Sequence, residues 1–68
     1  MYVNRVKELR QQAQLKQSEL AAIVGIARQT LSLIENDRFN PSLDLCIKLA
    51  KALNTDLNTL FWKDDKHE

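Results

Sequence analysis

One glycine stands in 68 residues. Gly25 follows Leu20, Ala21, Ile23 and Val24 and precedes Leu31 and Ile34, two sets spaced as on the faces of helices. A helix commonly exits through a residue in the left-handed conformation, which glycine adopts without strain and Asn or Asp adopt less readily. Gly25 therefore predicts a tight turn between two short helices. Val3, Val6, Leu9 and Ala13 mark a face of a first helix, Leu43 to Leu53 a fourth, and Leu57, Leu60 and Phe61 a short fifth. Asn36-Asp37 and Asn54 stop the third and fourth, while Ser42 after Pro41 and Thr55 start the fourth and fifth. Lys16 and Ala27, at the starts of the second and third, offer no side-chain acceptor, so those helices lean on packing. No strand alternation, repeat or linker intervenes. The expectation is a compact all-α domain of five helices over residues 1–62, followed by a charged tail, 63–68.

A domain this short buries roughly 60% of its unfolded surface and is marginal alone. On the fourth helix, Asp44, Lys48 and Lys51 form one narrow polar stripe, and the remaining positions are apolar. This pattern predicts burial nearly all round. Leu57, Leu60, Phe61 and Trp62 then need cover of their own, which predicts a homodimer through these four side chains; the alternative is that Phe61 and Trp62 cap the monomer core. Cys46 has no partner cysteine in the chain and reads as a small core hydrophobe. No signal core opens the sequence and no run reaches the ~18 apolar residues of a membrane span, so cytoplasmic residence without membrane contact is expected.

Ten basic against nine acidic residues exclude a polybasic coat. Residues 1–38 hold six basic and four acidic groups, and the rest hold four and five. Positive charge thus leans weakly toward the first half, which is compatible with one DNA-facing side and by itself says little. At 100° per residue, the third helix turns Ala27, Leu31 and Ile34 inward and Gln29, Ser32, Leu33 and Asn36 outward, with Arg28 and Thr30 on the flanks. Arg pairs bidentately with guanine, Gln with adenine, and Leu33 or the Thr30 methyl packs on a thymine methyl. Any amphipathic helix has a polar outer face; the short helix, turn and second helix around Gly25 give this one the geometry of a helix-turn-helix reader.

The runs QSELAAIVG (17–25), RQTLSLIEN (28–36) and NPSL (40–43) closely resemble the Xre family, the Cro and phage-repressor type of helix-turn-helix. The resemblance covers about residues 3–61. It implies base reading by Arg28, Gln29 and Thr30, extended by Ser32 and Leu33, and phosphate contacts from Gln17 and from Asn36 through Arg38 to Asn40. Lys16 is a further candidate for the phosphates. It also implies an ion pair between Arg10 and Glu35 and, in the short single-domain members, dimers whose chain ends pair as a β-ribbon, here Tyr2-Val3 with Phe61–Lys63. The sequence departs from the family at Lys16 and Ala27, where Ser or Thr is common, and at Gln14 and Asp37, where Gly is common.

The implied function is a transcriptional regulator, a repressor that binds a palindromic double-stranded operator as a homodimer. A rival reading is a protein-interaction module, such as an antitoxin, that meets an unidentified protein partner through the fourth and fifth helices. His67, the one histidine, lies in the charged tail, so no nucleophile and base pair up as in an enzyme. Nothing in the pattern calls for a metal or cofactor.

Overall fold

The computed structural model describes residues 4–61. Five helices follow one another: α1 (Val6–Gln12), α2 (Gln17–Val24), α3 (Arg28–Glu35), α4 (Leu43–Ala52) and α5 (Leu57–Phe61). They close a ring, α1 packing on α3 and α5, α2 on α3 and α4, and α4 on α5. Inside it lie Val6, Leu20, Leu31, Ile34, Leu49 and Leu60, all fully buried, with Ala21, Val24, Ala50, Leu53 and Phe61 around them. The all-helical expectation holds over the described residues. Tyr2, Val3, Trp62 and the tail 63–68 lie outside them, and Phe61, assigned to a β-ribbon, is helical.

Four of the five helices leave in the same way. A left-handed residue follows each: Gln14 (φ 62°), Gly25 (81°), Asp37 (59°) and Asn54 (56°). Its N–H and that of the next residue turn back on the final turn: Gln14 to Gln11 and Leu15 to Arg10, Gly25 to Ala22 and Ile26 to Ala21, Asp37 to Ile34 and Arg38 to Leu33, Asn54 to Lys51 and Thr55 to Ala50. This is the Schellman arrangement, which satisfies carbonyls that the helix itself cannot. At Gly25 an added Cβ would meet nothing within 4 Å, so its backbone angle alone calls for glycine.

The starts add detail to the sequence reading and differ from it at α5. Val6 N–H donates to Asn4 Oδ1 at 2.9 Å, an Asx turn just ahead of α1, whose N-cap Arg5 makes no side-chain cap. Lys16 caps nothing through its side chain, yet its own N–H donates to Glu19 Oε1 at 2.8 Å, the half of a capping box that needs no Ser or Thr. Asp56 rather than Thr55 caps α5, accepting from Thr59 N–H at 2.7 Å.

Burial differs more. Leu60 is 0% and Phe61 5% exposed, filling the monomer's own core rather than a dimer contact, because α5 folds back between α1 and α4. Leu57 is half-buried against the same core. The α4 helix is not enclosed: Leu43 is 66% and Ile47 38% exposed, while Leu49, Ala50 and Leu53 face the core. Ala13 and Ala27 are exposed because each stands at a helix end. Cys46 is half-buried, and loss of solvent pushes its thiol up from the ordinary value, keeping it protonated and inert.

Two predictions follow from these ends. Gln14 is exposed and held at a strained angle for a side chain, so Gln14→Gly should raise stability by about 1 kcal/mol, several degrees in a melt, and Gln14→Val should lower it. The Thr59 amide, aided by its hydroxyl, holds the Asp56 carboxyl below the usual carboxylate range. That contribution is present above the unfolded pKa of about 4 and is lost as pH falls through the lower folded value. Asp56→Asn, which keeps a cap acceptor, should flatten that acid limb of a melting-temperature profile.

Candidate nucleic-acid interface

The turn at Gly25 sets α3 against α2, and Leu31 and Ile34 anchor it to the core. The opposite face is open. Arg28 and Gln29 are exposed on the first turn, Leu33 is 45% exposed one turn further on, and Thr30 and Ser32 are half-buried at the edges. Five residues expected to read bases thus share one surface, with Arg28, Gln29 and Leu33 standing furthest out. An exposed leucine beside two planar polar groups matches the mixed apolar and hydrogen-bonding edge that a base pair presents in the major groove.

A chain of hydrogen bonds fixes Arg28 from behind. Its Nη1 donates to Gln17 Oε1 at 3.1 Å, and Gln17 Nε2 donates to Glu35 Oε1 at 3.0 Å. Glu35 in turn accepts from Arg10 Nε at 2.7 Å and Nη2 at 3.3 Å, and Arg10 Nη1 donates to the Leu15 carbonyl at 2.8 Å. The donors dictate how the Gln17 amide is turned: its oxygen faces the guanidinium and its NH2 the carboxylate. The Glu35 side chain is 1% exposed and that of Arg10 10%, so the expected ion pair is formed away from water. Gln17 is half-buried and bonded at both ends, with one N–H left for a phosphate. Its part in steering Arg28 was not readable from the sequence; its position alone, at the start of α2, pointed to phosphate.

The other expected phosphate contacts flank this surface. Lys16 is exposed just before α2, and its ammonium has no partner among the described residues. Arg38 and Asn40 are exposed in the segment between α3 and α4, together with Phe39, which is 46% exposed and which the sequence reading passed over. The Asn36 side chain folds back onto the Ser32 carbonyl at 2.9 Å. Among the described residues no group of His, Cys, Asp or Glu could hold a metal ion, and no helix is long and apolar enough to cross a membrane.

The helix-turn-helix family model matches residues 6–60. YgzD of Bacillus subtilis, an uncharacterized helix-turn-helix transcriptional regulator, is 38% identical over 64 residues, 94% of this chain and 97% of its own. The restriction-modification controller protein C.AhdI from Aeromonas hydrophila superposes with a TM-score of 0.76 at 35% identity, over 79% of this chain and 82% of its own. The biofilm master regulator SinR, seen in complex with DNA, superposes at 0.75 with 34% identity, over 81% of this chain and 89% of its own. The chain belongs to the helix-turn-helix family of DNA-binding transcriptional regulators, in its Xre and Cro branch.

Proposed function

We propose that this protein is a cytoplasmic repressor that places the start of α3 in the major groove of an operator. The observation that carries the reading is Arg28, exposed beside Gln29 and held by Gln17 in a fixed direction. Arg28 and Gln29 pair with base edges, Thr30, Ser32 and Leu33 complete the contact, and Lys16, Gln17, Asn36, Arg38 and Asn40 meet phosphates. SinR, a family member of similar fold, is seen with DNA, which supports the reading.

One such head offers few base contacts. Two related by a two-fold axis would read an inverted repeat with half-sites about 34 Å apart. With Leu60 and Phe61 inside the monomer, the better candidate for the dimer surface is the flank of α4 that carries Leu43 and Ile47, one turn apart and both exposed, with Leu57 of α5 partly accessible. Exposed apolar side chains of this size on one helix flank are what a self-association buries. The same flank is where the rival reading, a protein-partner module, would act.

Arg28→Ala combined with Gln29→Ala should weaken operator binding roughly 30-fold or more, at about 1–3 kcal/mol per bidentate pair, with an unchanged melt. If that variant keeps full activity in cells, the protein works through a partner protein and not through base reading. Selection from random duplexes should return a symmetric consensus. Leu43→Asp with Ile47→Asp should sediment as a monomer while wild type sediments as a dimer; two dimers would place the interface elsewhere.

A further inference from the structure

We infer that Asn4 is a positioning residue for DNA binding, one that clamps the exit of α3 and so places Arg38 and Asn40 for contact with phosphate. The inference rests on the proposed phosphate contacts of the segment after α3. Three hydrogen bonds converge on this one carboxamide. Its Oδ1 accepts from Val6 N–H at the first residue of α1. Its Nδ2 donates to the Ile34 carbonyl at 2.6 Å and to Asp37 Oδ1 at 3.0 Å. Ile34 C=O is also the carbonyl that receives Asp37 N–H in the helix exit, and Arg38 N–H closes the same exit on Leu33. Asn4 therefore holds both the carbonyl around which the chain turns and the side chain of the residue that turns it.

Arg38 comes directly after Asp37, whose left-handed angle aspartate tolerates but adopts less freely than glycine. A turn at such an angle keeps a single shape when outside contacts over-determine it. Asn4, in the segment that leads into α1, supplies two of those contacts. Arg38 is exposed with no side-chain partner among the described residues, so the turn fixes only the point from which its side chain reaches out.

The test measures binding of the full chain to a duplex carrying the selected consensus, by fluorescence anisotropy across salt concentrations and well below the melt. Arg38→Ala should flatten the salt dependence by about one released counterion. Asn4→Ala should weaken binding about tenfold with a similarly flattened slope and an unchanged base preference, as expected where a phosphate contact is lost and base contacts are kept. Should Asn4→Ala fail to fold, Asn4→Ser retains an acceptor for Val6 N–H and gives the same readout. Asn4→Asp should bind worse still, its carboxylate facing the Ile34 carbonyl and Asp37. Adding Asp37→Asn restores a donor opposite residue 4 and should recover much of the loss, a rescue that a merely destabilised fold would not show in the slope. Wild-type affinity and slope in the folded Asn4 variants, alongside a flattened slope in Arg38→Ala, would overturn the positioning role alone. A wild-type slope in Arg38→Ala would overturn the phosphate reading and the inference with it.

Discussion

The bond between Arg10 and Glu35 is the contact on which the rest of the molecule depends. Glu35 sits at the last turn of α3 with a side chain almost closed to water, and a carboxylate there is costly unless it is paired and hydrogen-bonded. Arg10 supplies a two-pronged partner from α1, and Gln17 supplies a third donor from α2. Removing one member of such a buried pair typically costs about 3–5 kcal/mol, a large share of the stability of so short a domain. One carboxylate thereby joins three helices and, through Gln17, sets the direction of Arg28. Packing and reading share this group, and neither can be adjusted without the other.

Most of the fold was legible because its two signals are local. Apolar residues at helical spacing located all five helices, and Gly25, Asp37 and Asn54, residue types that accept a left-handed angle, located three of the four exits. Gln14 occupies the fourth; glutamine carries no such preference, and only the family resemblance, with Gly common at that position, marked it. The cap of α5 was misplaced by one residue because Thr55 and Asp56 are both good caps, and only geometry chooses between them.

What failed was the reading of what covers α4 and α5. A lone polar stripe on α4 suggested enclosure, but Leu43 and Ile47 stand exposed on a flank that the core does not reach. Leu60 and Phe61 were apolar enough for an interface and equally apt for the core they occupy. Composition measures the wish to leave water and says nothing of the partner. At the site, types and helical spacing marked out Arg28, Gln29 and Leu33, and the structure exposes all three on α3. Gln17 as a brace and Asn4 as a clamp were beyond reach, because each acts through contacts between segments distant in the chain.

The ring of helices has its seam where the two ends of the described chain meet. There Arg5 N–H donates to the Leu60 carbonyl at 2.9 Å, and α1 lies between α3 and α5. Neither outer helix is a free end that can fray while the remainder stays intact. Lifting α1 away strips Glu35 of Arg10 and opens the seam to α5 in one step, so partial opening is penalised twice. Such linkage ties the two outer helices into one cooperative unit, in which opening either end costs contacts held by the other.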